Sequence, residues 1–241
     1  MYNAYMNLAE AVENYKAPSS ARKLVAEHPP LGIAGPTGSG KGTISEYLMQ
    51  SKYAATVSDT TRNKRPHNNG LEVNGVHYWF ISEETAAKKL ANGEYIEAKW
   101  VHGTTLYGTS VEAYERVVAA GRTPLLEIDV QGMEDLMEDF PTFEPILLLP
   151  PDFETWQERL DGRGDMDLEQ KIRRFGTALI EFSKPFENAR FHPVVNHEVV
   201  DTAKVIESGE YRTVEYREEA LRVATELRDA TRAFLDAHQA N

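Results

Sequence analysis

The chain has 241 residues, 41% of them hydrophobic and 27% charged, which suits one sizeable α/β domain or one core with a small inserted lobe. Its formal net charge of −12 argues against nucleic-acid binding, because a phosphate backbone would repel it. The lack of cysteine excludes disulfides, zinc–thiolate sites and thiol nucleophiles, and it suits a reducing cytoplasm.

No stretch is long enough for a transmembrane helix, since the longest aliphatic run, from Pro145 to Pro151, covers only a few residues. The N-terminus lacks a positive start followed by an apolar block, so we expect no signal peptide. We therefore expect a cytoplasmic protein without a membrane partner. The seven histidines follow no metal-ligand spacing, and we expect no metal ligands among the side chains.

The first third of the chain predicts a nucleotide-binding α/β unit. Tyr5, Leu8, Val12 and Tyr15 recur at helical spacing, "APSS" breaks this helix, and "ARKLVAEH" predicts a second. "PPLGIAG" then predicts a buried strand, and "GTISEYLMQ" predicts a helix after a glycine-rich loop. Strand, loop and helix in this order are typical of a phosphate-binding unit.

The rest of the chain alternates strands and helices. A polar, turn-rich stretch from Asp59 to about Gly75 is followed by predicted strands at "VHYWFIS" and "YIEAKWVHG", on either side of the helix "EETAAKKLANG". Next come a predicted helix at "SVEAYERVVAAG" and two predicted strands, at "TPLLEIDVQG" and "EPILLLPP". They are followed by two predicted helices, at "DFETWQERLDGRG" and "DLEQKIRRFGTALIEF", and by a predicted strand at "FHPVVNHEV". A terminal helix from Glu215 carries the stripe Leu221, Ala224, Leu227, Thr231 and Phe234. The alternation predicts a mostly parallel sheet with helices on both faces.

The stretch "GPTGSGKGT" has the composition of a phosphate-binding loop. Glycines let successive backbone N–H groups point at phosphate oxygens, and a lysine reaches the transferring phosphate. Gly42 stands where Ser or Thr usually follows the lysine, so we expect magnesium to be placed mostly through waters, or Thr43 to contact phosphate. A glycine-rich turn with an incidental lysine is the alternative. The predicted phosphate contacts are Gly35, Pro36, Thr37, Gly38, Ser39, Gly40, Lys41, Gly42 and Thr43.

A second polar stretch, "SDTTRNKRP", places Arg62 and Arg65 three residues apart, and two guanidinium forks at this spacing suit one phosphate. Taken alone, this stretch is better explained as a solvated basic loop. Later stretches add Tyr78, Glu97 and Tyr107. Taken alone, the tyrosines are equally consistent with core aromatics, and Glu97 is better explained as a surface acid on an edge strand.

In order and approximate spacing, six motifs resemble those of the guanylate kinase family: "GPTGSGKGT", "VSDTTRNKRP", "EVNGVHYWF", "YIEAKWVHGTTLYGTS", "LLEIDVQG" and "RLDGRG". The resemblance covers about residues 31–203. It implies a P-loop kinase with a mostly parallel five-stranded core sheet flanked by helices, a small mixed β/α acceptor-binding lobe and a helical lid. It implies transfer of phosphate from ATP, bound with Mg²⁺, to GMP or dGMP, in purine nucleotide metabolism.

The resemblance also implies an order of domains. We expect a helical extension over 1–30, core segments over 31–57 and 110–158, a GMP-binding lobe over 58–109 and a lid over 159–190. A core strand and a C-terminal helical extension complete the chain over 191–241. The apolar stripes of both extensions predict packing or self-association, so an oligomer is compatible with them.

On the acceptor side, the resemblance assigns guanine recognition to Glu97, because a carboxylate accepts from both N1–H and the exocyclic amine of guanine. Ser58 and Thr109 would contact the base carbonyl and ring edge, and Asp129 would face the base or its surroundings. The predicted substrate-binding residues are Ser58, Arg62, Arg65, Tyr78, Glu97, Tyr107, Gly108, Thr109 and Asp129, with Arg62, Arg65, Tyr78 and Tyr107 on the phosphate.

On the donor side, the resemblance assigns the terminal phosphates of ATP to Lys41 and a contact near the adenosine to Asn196. Arg65 would bridge the two phosphates, and Arg163 and Arg174 match the two lid arginines. The predicted catalytic residues are Lys41, Arg65, Arg163 and Arg174. Arg159 and Arg173 would lie on the donor side or form helix salt bridges. The alternative for the lid is an ordinary pair of charged, solvated helices.

The sequence departs from the family pattern at several places. Glu127 replaces an Asp, His197 replaces the acid after Asn196, the loop over 66–71 is longer, and "HGTTLYGTS" has one extra residue. Two other functions therefore stay open: a binding module of the same fold, and a kinase for another monophosphate or a sugar phosphate. The intact phosphate loop disfavours the first, and Ser58, Glu97 and Thr109 disfavour the second.

Overall fold

The computed structural model describes residues 8–67, 70–101, 103–162 and 167–239. Its helices are α1 (Leu8–Glu13), α2 (Ser19–Glu27), α3 (Lys41–Leu48), α4 (Glu83–Ala91), α5 (Val111–Ala119), α6 (Val130–Asp139), α7 (Phe153–Asp161), α8 (Leu168–Glu187), α9 (Val199–Ser208) and α10 (Val214–Gln239), with a 3₁₀ helix (Glu210–Arg212) before α10. Its strands are β1 (Leu31–Ala34), β2 (Tyr53–Ala55), β3 (Asp59–Thr60), β4 (Pro66–His67), β5 (Gly70–Leu71), β6 (Trp79–Phe80), β7 (Tyr95–Val101), β8 (Thr105–Ser110), β9 (Thr123–Glu127), β10 (Ile146–Leu149) and β11 (His192–Val195).

The chain forms two compact units. The acceptor unit comprises Met1–Pro30, Ala54–Pro124 and Asp135–Thr142, and contains most of the predicted acceptor residues. The donor unit comprises Leu31–Tyr53, Leu125–Glu134 and Phe143–Asn241, and contains the phosphate-loop candidate.

A five-stranded sheet, in the order β11–β10–β1–β9–β2, carries the phosphate-loop candidate. β1 pairs in parallel with both β9 and β10, and β10 pairs in parallel with β11. All residues of β1 and β10 are buried, which explains why these strands are continuous apolar runs. The predicted, mostly parallel five-stranded core sheet is therefore confirmed.

Helices cover this sheet within the donor unit. Ile44 and Leu48 of α3 and Ile206 of α9 pack with Ile33 of β1 and Leu148 of β10 in one buried cluster. The cluster fixes α3 directly behind the loop that follows β1.

The smaller sheet of the acceptor unit is mixed, in the order β6–β3–β8–β7. β8 is antiparallel to both β3 and β7, whereas β3 and β6 are parallel. This confirms the small mixed lobe. The strand predicted at "VHYWFIS" is wrong over most of its length, because β6 contains only Trp79 and Phe80, and Tyr78 makes an isolated bridge to Asn74.

Side-chain caps set the start of several helices. Ser82, Ser110, Asp152 and Asp167 each accept a hydrogen bond from a backbone N–H three residues later, before α4, α5, α7 and α8 respectively. These caps explain why the four helices were predictable. No described helix combines the length and apolar character that crossing a bilayer requires.

The terminal helices pack on their own chain. Leu8 and Val12 of α1 enter a buried cluster with Leu90 and Tyr95, and α10 packs along α8 and β11. Packing of the apolar stripes is thus confirmed, while self-association stays a prediction. The part of the predicted first helix before Leu8 lies outside the described residues.

Several elements were missing from the prediction, including the strands β2 and β3. The run "TPLLEIDVQG" ends as a strand at Glu127, and α6 begins at Val130. α9 and β8 were also not predicted, and the long polar loop over 66–71 contains the short antiparallel pair β4–β5.

Candidate active site

The loop between β1 and α3 has a backbone that only glycines adopt readily. Gly35, Gly38 and Gly40 have φ values of 141°, 90° and 94°. A Cβ atom at Gly35 would lie 2.3 Å from the carbonyl oxygen of Leu148, and one at Gly40 would lie 2.3 Å from Nδ2 of Asn196. The loop is therefore closed to side chains at both ends, as a backbone phosphate cradle requires.

Lys41, the first residue of α3, folds back over this loop. Its Nζ donates to the carbonyl oxygens of Gly35 and, at 3.2 Å, Pro36. Lys41 also borders a cavity of about 350 Å³. The cavity is lined by Gly35, Thr37, Lys41, Glu127, Ile128, Asp129, Arg174, Thr177 and Glu181. The loop, its lysine and one of the predicted lid arginines thus face one space.

Three acids line the same cavity. Glu127 accepts a hydrogen bond from the Ser45 hydroxyl at 2.9 Å, and Asp129 accepts one from the Gly132 N–H at 2.7 Å, at the start of α6. Glu181 is only 9% exposed, and burial raises its pKa to about 7, with Lys41 opposing and Asp129 reinforcing the shift.

Asn196 supports the loop from behind. Its Nδ2 donates to the carbonyl oxygen of Ser39 at 2.8 Å, and its Oδ1 accepts from the Thr202 hydroxyl at 3.2 Å. Its amide is thus committed to the protein, and its contact with ATP stays a prediction. Arg159 donates to the carbonyl oxygens of Asn196 and His197, on this donor side as predicted.

Trp156 of α7 is a supporting residue that the sequence did not reveal. Its Nε1 donates to the carbonyl oxygen of Thr37 at 2.8 Å, and its ring lies 3.1 Å from the position of a Cβ atom on Gly38. In the sequence, a tryptophan in a charged helix indicates only a core residue. Its contact with the loop depends on how the helix packs, which the fold alone shows.

Of the two predicted lid arginines, the structure describes only Arg174. Arg174 of α8 borders the cavity, and its guanidinium makes no ion pair with any described residue. Arg163 lies outside the described residues. Arg173 pairs with Glu169 at 2.7 Å, which confirms its expected helix salt bridge.

In the acceptor unit, Glu97 and Thr109 lie directly opposite each other on β7 and β8. Oε1 of Glu97 accepts from the Thr109 N–H at 2.8 Å. Burial raises the pKa of Glu97, and hydrogen bonds from Thr109 and the charge of Lys99 oppose this shift. The carboxylate is thus half-buried and held by a backbone donor, on the edge strand β7.

The neighbouring Gly108 allows close strand packing. A Cβ atom there would lie 2.9 Å from the Glu97 carbonyl oxygen and 3.0 Å from the Tyr95 ring. Ser58 immediately precedes β3, and its carbonyl oxygen accepts from the Trp79 N–H at 2.9 Å.

Arg62 joins the predicted phosphate contacts to an acid that sequence reasoning missed. Its Nε donates to the Tyr107 hydroxyl at 2.9 Å, and its two terminal nitrogens donate to the carboxylate of Glu72 at 2.8 and 2.9 Å. Glu72 also accepts from the Arg65 N–H. This fork lowers the pKa of Glu72 to about 2. An acid just beyond a basic loop was the available signal.

The tyrosines lie beside this ion pair. The Tyr78 and Tyr107 rings meet edge to face, with centroids 5.5 Å apart, and the Arg62 guanidinium lies 5.4 Å from the Tyr78 ring centre. Arg65 is exposed, and its guanidinium has no hydrogen bond or ion pair with described residues. The fold therefore gathers Arg62, Tyr78 and Tyr107 in one cluster.

Asp129 falls in the donor unit, at the cavity that Lys41 borders, whereas the other predicted substrate-binding residues fall in the acceptor unit. Its predicted role toward the base stays a prediction.

Comparisons with known proteins agree on one family. A family model described as guanylate kinase matches residues 27–208. The chain is 39% identical over 176 residues to a guanylate kinase of Leifsonia xyli, covering 72% of this chain and 67% of that protein. It is 37% identical over 177 residues to a guanylate kinase of Bifidobacterium longum, covering 71% and 87%. The crystal structure of guanylate kinase from Anaplasma phagocytophilum is similar at a TM-score of 0.53 and 27% identity, covering 77% of this chain and 87% of that one.

Proposed function

The chain belongs to the guanylate kinase family, and from this membership we propose that it transfers the terminal phosphate of ATP to GMP or dGMP, giving ADP and GDP or dGDP. The observation that carries the proposal is the half-buried Glu97 carboxylate, held by Thr109 in a chain that also has a complete glycine loop with Lys41. The proposal includes a place in purine nucleotide metabolism and in the cytoplasm.

We assign guanine recognition to Glu97 because its carboxylate can accept more hydrogen bonds than the one that the Thr109 N–H donates. Oε1 accepts from Thr109, and each carboxylate oxygen has two lone pairs, so Oε2 is available for N1–H and the exocyclic amine of guanine. Adenine lacks this pair of donors, so Oε2 of the half-buried carboxylate gains no hydrogen bond from the base, at a cost of about 1–3 kcal/mol. Ser58 and Thr109 complete the base contacts.

The phosphate of GMP is assigned to Arg62, Arg65, Tyr78 and Tyr107. Glu72 engages two nitrogens of Arg62, so this arginine is oriented before substrate arrives. The exposed Arg65 has its guanidinium donors available for a phosphate. Tyrosine hydroxyls add hydrogen bonds without adding charge.

The phosphates of ATP are assigned to Gly35–Thr43, with Lys41 on the terminal phosphates and the lid arginines Arg163 and Arg174 on the transferring group. The side-chain oxygens of Glu127 and Asp129 at the cavity suit Mg²⁺, although no described cluster of three or more His, Cys, Asp or Glu residues forms a site for a metal. Mg²⁺ bound with ATP would be held by these acids through waters, and it would neutralise phosphate charge.

The reaction needs alignment more than acid–base chemistry. An ionised phosphate oxygen of GMP attacks the terminal phosphorus of ATP, a new P–O bond forms, and the bond to ADP breaks. Because the nucleophile is already ionised, no general base is required. Lys41, Arg65, Arg163 and Arg174 stabilise the charge of the moving group, and exclusion of water limits hydrolysis of ATP.

The test is the identity of the products. With ATP, Mg²⁺ and GMP, chromatography is expected to show ADP and GDP in equal amounts. Lys41→Met should lower turnover about 100-fold or more, because a charge on the transition state loses its partner. Lys204→Met, at an exposed lysine of the same unit, is the matched control. ADP without GDP would contradict the proposal, and binding of GMP without turnover would favour a binding module.

A further inference from the structure

A tyrosine outside the matched family region forms hydrogen bonds with the edge strand of the acceptor sheet. Tyr15 follows α1, and the family match begins only at residue 27. The Tyr15 hydroxyl donates to the Tyr95 carbonyl oxygen at 2.7 Å and accepts from the Tyr95 N–H at 3.0 Å. One hydroxyl thus satisfies both backbone groups of a residue on the edge strand β7, as a neighbouring strand would.

The register of β7 changes at this point. Tyr95 lies opposite Ser110, whereas Glu97 lies opposite Thr109, so two steps along β7 match one step along β8. This irregularity is a β-bulge with one extra residue. Bulges bend a strand and redirect its side chains, and they are common beside active sites. Tyr15 binds Tyr95, the residue at which the bulge begins, and Glu97 is the residue at which regular pairing with β8 resumes.

The position of Tyr15 is itself fixed by packing. Leu8 and Val12 of α1 lie in the buried cluster that contains Tyr95, and Tyr15 packs against this cluster. The rings of Tyr15 and Tyr95 meet edge to face at 6.2 Å. Burial raises the pKa of Tyr15, which keeps its hydroxyl proton in place for the hydrogen bond.

Tyr95 is also held at its other end. Its hydroxyl donates to Oδ2 of Asp59 at 2.9 Å, and Asp59 forms a buried ion pair with Lys89. Asp59 begins β3, directly after Ser58. The Tyr95 ring packs on Gly108 of β8. A single buried tyrosine therefore connects the three strands that carry or adjoin Ser58, Glu97 and Thr109.

We propose that Tyr15 is a positioning residue for guanine recognition: its hydroxyl holds the bulge at Tyr95 and so fixes the direction of the Glu97 carboxylate. The inference rests on the proposed function, in which Glu97 reads guanine. Without the hydroxyl, the Tyr95 N–H and carbonyl group lose their protein partner. The bulge then samples other geometries, and the carboxylate is no longer held for the two donors of guanine.

Tyr15→Phe tests this, with Tyr114→Phe as the matched control. The Tyr114 hydroxyl also donates to a backbone carbonyl oxygen, that of His28, at 2.6 Å, and it makes no hydrogen bond to a described residue of β7. Tyr15→Phe is expected to raise the KM for GMP about tenfold and to leave the KM for ATP unchanged. It should also lower the preference for GMP over inosine monophosphate, which lacks the exocyclic amine. Exchange of the Tyr95 amide hydrogen should accelerate.

Tyr114→Phe should lower thermal stability without changing this preference or the exchange of the Tyr95 amide. Equal KM values and equal purine preference in wild type and Tyr15→Phe would overturn the inference while the proposed function stands. Equal changes in both variants would also overturn it, because they would show a general loss of stability. Wild type that does not phosphorylate GMP would overturn the proposed function and this inference together.

Discussion

Glu97 is the residue on which acceptor selectivity depends. Glu97→Gln keeps an oxygen for the Thr109 N–H but places an amide donor where guanine presents its own donors. We expect kcat/KM for GMP to fall about 10- to 100-fold, with stability preserved or raised because a partly desolvated charge is removed. Steady-state ADP release measures this. Glu94→Gln, on the same segment, is the control, and an unchanged preference for GMP in Glu97→Gln would remove Glu97 from guanine recognition.

Glu181 predicts a pH dependence of stability. Its pKa is raised to about 7 in the folded chain, above an ordinary value of 4.5, so the folded state keeps a proton that the unfolded state loses. This burial therefore lowers stability as pH rises from about 4.5 to 7, and the cost stays constant above that range. Glu181→Gln should raise the free energy of unfolding by about 1–3 kcal/mol near pH 8 and by much less near pH 5.

Thermal unfolding of Glu181→Gln at the two pH values measures this effect. Glu158→Gln, at an exposed acid, controls for the loss of one negative charge. A gain in stability that is the same at both pH values would contradict the explanation.

Residues that act through another residue were the hardest to predict. Lys41, Glu97 and Arg62 stand in motifs, so their positions could be read from the sequence. Trp156 and Glu181 lie outside the motifs, and Glu72 begins the motif "EVNGVHYWF" without any indication of its role, because the partners of all three are decided by a loop conformation or by helix packing. Asn196 was predicted at the donor site, but its hydrogen bond to Ser39 depends on the parallel arrangement of β10 and β11, which only the fold supplies.

At the scale of elements, an aromatic column connects α10 to the phosphate loop. The ring centre of Phe234 on α10 lies 4.6 Å from that of Phe175 on α8. The Phe175 ring stacks on the Trp156 ring with their centres 4.6 Å apart, and Nε1 of Trp156 donates to the carbonyl oxygen of Thr37. Phe234→Ala should lower stability by about 1–3 kcal/mol and raise the KM for ATP, because Trp156 loses lateral support.

Phe186→Ala is the matched control for this prediction, since Phe186 lies on α8 and is 44% exposed. The KM for GMP should not change in either variant at saturating ATP. A Phe234→Ala enzyme that loses stability but keeps its KM for ATP would show that the column supports the fold alone.

The elements that were missed share a weak local signal. α9 begins with two valines and has no side-chain cap, so its start cannot be read from the sequence. α6 begins one residue after Asp129, whose cap on Gly132 was hidden because a glycine there reads as a turn. β8 is largely polar and contains a glycine, and its strand conformation depends on pairing with β3 and β7.

For the whole molecule, the family match leaves residues 1–26 and 209–241 unassigned, yet the described helices of both stretches pack on the rest of the chain. α1 lies before residue 27 and joins the core of the acceptor unit, and α10 lies after residue 208 and packs along α8. The apolar stripes of both helices could be recognised in the sequence, but their contacts could not. A stripe shows which face of a helix is buried, and it does not show which element covers that face.

The measurement that tests the central claim most directly is kcat/KM for ATP-dependent phosphorylation of GMP, dGMP, AMP, UMP and CMP. The half-buried Glu97 predicts that guanine nucleotides exceed the others by about 10- to 100-fold, since the other bases lack the adjacent pair of donors that its carboxylate can accept. A preference for AMP, UMP or CMP, or an equal rate with all five, would contradict the account.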